Sequence, residues 1–246
     1  MDHRELQELV RDSRSIAFFG GAGTSTESGI PDFRSSTGLF RTAHGTSHPP
    51  EVMLSRDFFD RYPAEFYRFY KEKMIHRAAL PNDGHKALAD LEAAGKLKAL
   101  ITQNIDGLHQ LAGSRNVLEL HGSVHRNFCT VCEQSYTLGE LLTLEGPVPK
   151  CQSCGGTVKP DVVLYQEPLN TGVFNRAEEA VTQADMLIVA GTSLSVYPAA
   201  GLIRYFSGRT LLLINKSETK YDSYATHIVN DSFSAVMTRL TEPERG

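Results

Sequence analysis

Short apolar runs recur along the chain at residues 16–19, 97–101, 117–120, 161–165, 186–190 and 210–214, each closed by polar residues. Runs of this length, bounded by turn formers, read as buried strands. Between them the period changes to that of a helix. Leu6, Leu9 and Val10 share one face of residues 5–13, and residues 87–94 form a second helix that stops at Gly95. Phe58, Phe59, Tyr62, Phe66, Tyr67, Phe69, Tyr70 and Met74 crowd into one helical region, with Pro63 in its first turn.

Polar residues gather just beyond the carboxyl ends of these strands: Gly20 to Gly23, Thr102 to Asp106, His121-Gly122, Gln166-Glu167, Gly191 to Ser193, and Asn215. Strand, polar loop and helix in alternation predict an α/β fold with a Rossmann-like parallel sheet whose ligand lies at that edge. Two stretches interrupt the alternation, one from Arg34 to about Arg77 and one from His121 to Asp161. Residues 1–34, 77–121 and 158–246 are therefore assigned to the Rossmann-like domain. Residues 35–76, a loop and helical module, and 122–157 form a smaller second domain, with the binding cleft between the two.

Residues 20–34 are the stretch around which this arrangement turns. Gly21-Ala22-Gly23 follows a strand, the context in which backbone N–H groups approach a pyrophosphate. Thr26 stands where a third glycine is expected, and no acidic residue closes a second strand about twenty residues later. The usual ribose hook of a dehydrogenase is thus missing. Phe33 and Arg34 instead put an aromatic ring and a guanidinium beside the phosphate turn.

Four cysteines form two Cys-x-x-Cys knuckles, Cys129 with Cys132 and Cys151 with Cys154, separated by eighteen residues. That spacing suits a tetrahedral zinc ribbon, and four thiolates leave no open position, which makes the metal structural. A disulfide framework would disperse its cysteines, whereas these point to a reducing compartment. Zinc ribbons also bind nucleic acid. Here the segment carries Lys150 against Glu133, Glu140 and Glu145, and the 246-residue chain has a formal charge of −4, so direct nucleic-acid binding is not expected. No stretch has the length of a membrane span and the N-terminus has no signal-peptide core; a cytoplasmic monomer is the expectation.

His121 follows an apolar strand and precedes a glycine, and Gln103, Asn104 and Asp106 emerge from a second strand end at the same edge. A base, two amides and a carboxylate beside a nucleotide turn form a candidate catalytic group, for imidazole accepts a hydroxyl proton near neutral pH. His85, His109 and His125 are assigned structural or exposed roles. Thr192, Ser193 and Asn215 extend the groove on the other side.

Taken together, residues 21–34, Thr102 to Asp106, Leu120-His121-Gly122, the two knuckles, Gly191 to Leu194, and Asn215 resemble the sirtuins, in the same order along the chain. The resemblance implies an NAD-dependent protein-lysine deacylase acting on acetylated lysine in proteins or peptides. Ala22, Gly23, Thr26, Arg34, Thr192, Ser193 and Asn215 would hold the ADP-ribose part of NAD. Phe33, Ile105 and Asp106 would form the nicotinamide pocket, Gln103 and Asn104 would contact the nicotinamide ribose, and His121 would be the general base. By the same resemblance the acetyl oxygen attacks C1′ of that ribose, and the acyl group ends on ADP-ribose.

The substrate peptide would add as a strand between Val163, Tyr165 and Glu167 on one side and Val196 with its neighbours on the other. Gln166 departs from the family, where a glycine before Glu167 is frequent. Members that remove acidic acyl groups carry Tyr-x-x-Arg, whereas Tyr67 is followed at that spacing by Tyr70, which implies acetyl or neutral acyl substrates near Tyr67. Two other readings stay open: a mono-ADP-ribosyltransferase using the same NAD cleavage, and a noncatalytic NAD- and zinc-binding module.

Overall fold

The computed structural model describes residues 3–33, 35, 38, 39 and 48–241. Arg34 and most of the expected loop at 35–50 lie outside the described residues. Strands are numbered in chain order as β1 Ile16–Gly20, β2 Leu97–Thr102, β3 Val117–Glu119, β4 Gly122–Cys129, β5 Ser135–Thr137, β6 Val158–Val162, β7 Met186–Ala190, β8 Thr210–Ile214 and β9 His227–Val229.

Six of them make one parallel sheet in the order β3-β2-β1-β7-β8-β9. Successive residues in a strand point to opposite faces, and the sheet uses this fully. Phe19, Ile101, Val189 and Leu213 pack on one side with Ala177 and Val181 of the helix Thr171–Gln183. Phe18, Leu100, Ile188 and Leu212 pack on the other with Leu6, Leu88, Leu91, Val236 and Met237 from three further helices. Both faces are covered, which is why the strands read as continuous apolar runs. The chain order reverses between β1 and β7, so the crevice at the carboxyl ends of those two strands is the topological switch point.

The second sheet, β5-β4-β6, is antiparallel. This corrects the expectation for residues 161–165. The strand there spans Val158–Val162 and pairs with β4, placing Cys129 opposite Val158 and Phe128 opposite Lys159. An apolar run reports burial and not the identity of the partner. Here the cysteine knuckles turn the chain back onto the strand it has just left.

The aromatic region is two helices, Arg56–Arg61 and Pro63–Lys73, and not one. Tyr62 breaks the helical backbone between them (φ −131°, ψ 55°), since the residue before a proline is pushed out of the helical region. Phe58, Phe59, Phe66, Tyr67, Phe69 and Tyr70 share one core with Val124, Tyr136, Leu141, Val158 and Leu164. Helical module and cysteine ribbon therefore pack together. The helix Asp83–Ala93 begins earlier than its periodicity suggests because Asn82 and His85 form a capping box. It ends as expected: Lys96 N–H bonds Leu91 C=O, Gly95 N–H bonds Glu92 C=O, and Gly95 is left-handed.

Candidate functional site

Two glycine-bearing loops meet at the switch point. Gly21 N–H donates to Ala190 C=O (3.1 Å) and Gly23 N–H to Gly191 C=O (2.8 Å). A Cβ on Gly21 would fall 2.8 Å from Thr192 Cβ, and one on Gly23 would fall 2.7 Å from Gly191 Cα. These glycines thus serve first to let the two loops touch, a reason the sequence reading attributes wholly to the ligand. Ala22–Thr24 and Thr26–Ser28 form short 3₁₀ turns, and Thr26 Oγ1 donates to Gly23 C=O (3.0 Å).

Beside them the strand ends of β2 and β3 deliver a connected group. Asn104 Nδ2 donates to Thr24 Oγ1 and to Ser25 Oγ, both at 3.0 Å. Ser25 Oγ donates to Asp106 Oδ2 (2.7 Å), and Asp106 Oδ1 accepts from Leu108 N–H (2.9 Å). Asn104 and Asp106 are therefore fixed before any ligand arrives. Ser25 is the residue that links them, and the sequence reading missed it although it stands inside the glycine-rich stretch. Asn82 is missed as well. Its Nδ2 donates to Thr24 C=O (2.8 Å) and Ser28 Oγ (3.0 Å), tying a helix cap to the turn. His125, assigned a structural or exposed role, reaches the same place, where its Nε2 lies 2.9 Å from Asp106 C=O.

His121 follows β3, and its Nδ1 lies 3.0 Å from Gln103 C=O. A carbonyl only accepts, so Nδ1 carries the proton and Nε2 keeps a lone pair. Burial pushes the imidazole below its ordinary value of 6.5, while the bond to Gln103 works the other way. The ring is thus a neutral base at neutral pH. Gly122 must follow it: its φ is +75°, and a Cβ there would lie 1.9 Å from Asp161 C=O.

Gln103 Nε2 is buried with no hydrogen-bond partner. Such a donor costs about 1–3 kcal/mol when left unmet, and Gln103 is one of the residues that the resemblance assigns to a ribose. The residues fit a polyhydroxylated nucleotide. Ile105 and Phe33 pack at the border of the aromatic core, offering an apolar wall beside Asp106.

On the far side of the crevice Asn215 clamps the other loop. Its Oδ1 accepts from Thr192 N–H (3.1 Å) and its Nδ2 donates to Thr192 C=O (2.8 Å). One lone pair of Oδ1 and one N–H of Nδ2 are thereby engaged with Thr192. Ser193 is exposed, with Oγ 2.8 Å from Ser195 Oγ.

Three residues assigned to the substrate have partners within the chain. Tyr67 is fully buried, its hydroxyl donates to Val158 C=O, and its ring packs edge-on against Phe66; it belongs to the core and not to a cleft wall. Glu167 is spent internally, with Oε2 accepting from Lys159 Nζ (3.1 Å) and Leu164 N–H (2.9 Å) and Oε1 from Arg56 (3.2 Å). Tyr165 has both backbone groups bound, N–H to Leu54 C=O and C=O to Arg56 N–H, each at 3.0 Å. Val163 N–H donates to His121 C=O, and Val196 is half-buried. Lys159, 5% exposed, also donates to Val162 C=O (3.0 Å) and so braces residues 163–167 from beneath.

The sulfur atoms of Cys129, Cys132, Cys151 and Cys154 all lie within 4.8 Å of one another, a cage that fits a tetrahedral zinc ion. Tyr136 Oη donates to Cys151 Sγ (3.2 Å) and accepts from Gln152 N–H (3.1 Å), and Cys151 is held down to about 6, with Tyr136 the first cause. A thiolate so favoured is ready to bind metal.

The chain matches known proteins over most of its length. The family model described as "Sir2 family" matches residues 21–198. An NAD-dependent protein deacetylase of Clostridium acetobutylicum is 57% identical over 233 residues, covering 95% of each chain. One of Clostridium tetani is 57% identical over 243 residues, covering 98% of each. Among solved structures, a Sir2 protein with a p53 peptide and NAD+ superposes with a TM-score of 0.85 at 38% identity, over 98% of this chain and 97% of that one. Another, from work on sirtuin substrate affinity, reaches 0.90 at 39% identity over the whole of both chains.

Proposed function

The chain belongs to the Sir2 family, and on that premise we propose that His121 is the general base of an NAD-dependent protein-lysine deacetylase. The observation that carries the assignment is the bond from Nδ1 to Gln103 C=O, which leaves Nε2 free to take a hydroxyl proton. When bound, NAD supplies the ribose carbon to which the acyl oxygen is transferred as nicotinamide departs.

This chain's residues do the positioning. Ala22, Gly23, Thr26, Thr192 and Ser193 line the phosphate and adenosine side, with Asn215 holding Thr192 in place. Gln103 Nε2 meets a ribose oxygen, which satisfies its unpartnered donor. Asn104 and Asp106, locked through Ser25, orient the reacting end. Phe33 and Ile105 exclude water there. The cysteine cage holds zinc as a brace with no part in the chemistry.

The acetylated peptide lies as an added strand between Val163 and Val196. Lys159, Glu167 and Arg56 shape its edge. Tyr67 is followed at the Tyr-x-x-Arg spacing by Tyr70, so that position supplies no cationic partner for an acidic acyl chain. Acetyl and neutral acyl groups are the substrates. A reducing cytoplasm suits four cysteines reserved for metal, and a monomer acting on protein substrates, with no nucleic acid, completes the reading.

Incubation with NAD and an acetyl-lysine peptide, followed by mass spectrometry, tests it. The expected products are the free lysine peptide, nicotinamide and acylated ADP-ribose. Labelled protein without peptide turnover would instead identify an ADP-ribosyltransferase, and no nicotinamide release a binding module.

A further inference from the structure

Beyond β7 the surface carries a cluster that the reaction above does not use. Tyr197 is 51% exposed, and its hydroxyl lies 2.7 Å from that of the buried Tyr221. Lys220 Nζ lies 4.5 Å from the centre of the Tyr197 ring and 5.7 Å from that of Tyr221. The Arg204 guanidinium is 5.9 Å from the Tyr221 ring. Two linked rings, one of them anchored in the core, thus hold two exposed cations in place.

Neither cation has an acidic partner among the described residues. Asp222, two residues after Lys220, turns Oδ1 to Thr219 N–H and Oγ1 (2.9 and 2.6 Å). The Tyr197 phenol is drawn below its ordinary value, first by the Tyr221 hydroxyl and then by Lys220.

The position of the cluster gives it a use. Tyr197 closes the segment from Ser195 that, on the reading above, borders the added substrate strand, so residues flanking the acetyl-lysine pass over it. We propose that Arg204 and Lys220, mounted on Tyr197 and Tyr221, bind an acidic side chain flanking the acetyl-lysine and so select acetylation sites near Asp or Glu. Holding a cation on a ring removes part of the ordering cost that weakens most surface ion pairs, and it leaves the outward donors for an anion. Two cations on a chain of charge −4 are too few to track a nucleic-acid backbone.

The proposal rests on the deacetylase reading, and the test separates the two. Acetyl-lysine peptides in an alanine background, with one Glu or one Lys placed at each flanking position in turn, are compared by kcat/KM at low and high salt. Glu at one or two adjacent positions should raise kcat/KM by about three- to fivefold over Ala, Lys should lower it, and salt should flatten the difference. The double variant Arg204→Glu, Lys220→Glu should invert the order. Turnover without a charge order, or an order that the double variant leaves intact, overturns the proposal alone. A raised KM for NAD with the flank order unchanged also overturns it, and assigns the cations to the nucleotide. Failure to turn over any peptide overturns the deacetylase reading and this proposal with it.

Discussion

At the edge of the parallel sheet, Asn104, Ser25 and Asp106 hold one another at 2.7 to 3.0 Å. At the tip of the small domain, four sulfur atoms crowd within 4.8 Å of one another. The first group is complete from the chain's own donors and acceptors, so its geometry exists before a ligand binds. The second gathers four groups that repel one another once ionised, and needs a cation to be stable. Preorganisation on one side and metal-coupled folding on the other divide the molecule's dependence on its environment.

The largest expected effect breaks the second region without the first. Cys132→Ala should lose zinc, and with it stabilisation on the order of 10 kcal/mol, the scale for structural zinc in small modules. Metal content and amide hydrogen exchange would check this. Protection should vanish in β4 and β6 and survive in β1, β2, β7 and β8. A metal-free variant that keeps its protected ribbon would contradict the contrast drawn above.

Next comes the loss of the base. His121→Ala should lower kcat by about 10²- to 10⁴-fold while NAD binding by calorimetry stays intact. Because burial lowers the imidazole, the native enzyme should gain activity as pH rises through a midpoint below 6.5 and hold it at neutral pH. A midpoint above 6.5 would remove His121 from the role.

A smaller effect comes from beneath the site. His85 and His109 are buried with ring centroids 4.6 Å apart, against Phe233 and Phe18 respectively, and His85 Nε2 and both His109 nitrogens have no partner. Burial lowers both, His85 to about 4. These imidazoles fold neutral. Their contribution to stability is full above the unfolded value of about 6.5 and is lost as pH falls from there through about 4. For His85 alone the loss near pH 5 is about 2 kcal/mol. Urea midpoints at neutral and acid pH would measure it, and His85→Gln should flatten the slope.

The same contrast explains what the sequence showed beforehand. Cysteine spacing speaks directly of a metal, because four like groups at those intervals have few other uses. The strands of the parallel sheet show equally well, since both faces are buried. What stayed hidden were orientations set by tertiary contact. Nothing in the sequence shows that the Asn215 amide bonds Thr192 or that the Tyr67 hydroxyl bonds Val158 C=O. Residues 161–165 gave no sign of their antiparallel partner, because burial alone sets the pattern. The Ser25 link between Asn104 and Asp106 joins residues some eighty positions apart, beyond any local signal.

Gln166, where the family often has glycine, provides the smallest and most discriminating test. Its φ is +77°, a left-handed conformation that costs an L residue about 1–2 kcal/mol. Its amide offsets this by pairing with the helix Arg56–Arg61: Oε1 accepts from Asp57 N–H (3.0 Å) and Nε2 donates to Asp57 Oδ2 (3.1 Å). Gln166→Gly and Gln166→Ala both lose those bonds, but the first relieves the backbone and the second does not. The Gly variant should therefore unfold at higher urea than the Ala variant by about 1 kcal/mol, although glycine also gains entropy when unfolded. Against the native protein it should be close to neutral, since exposed hydrogen bonds are worth about as much as the strain. Peptide KM should rise in both, because the link from residues 163–167 to the helical module is cut in both. Equal stability of the two variants would mean that the left-handed turn is not strained, and that the family's glycine serves the peptide and not the fold.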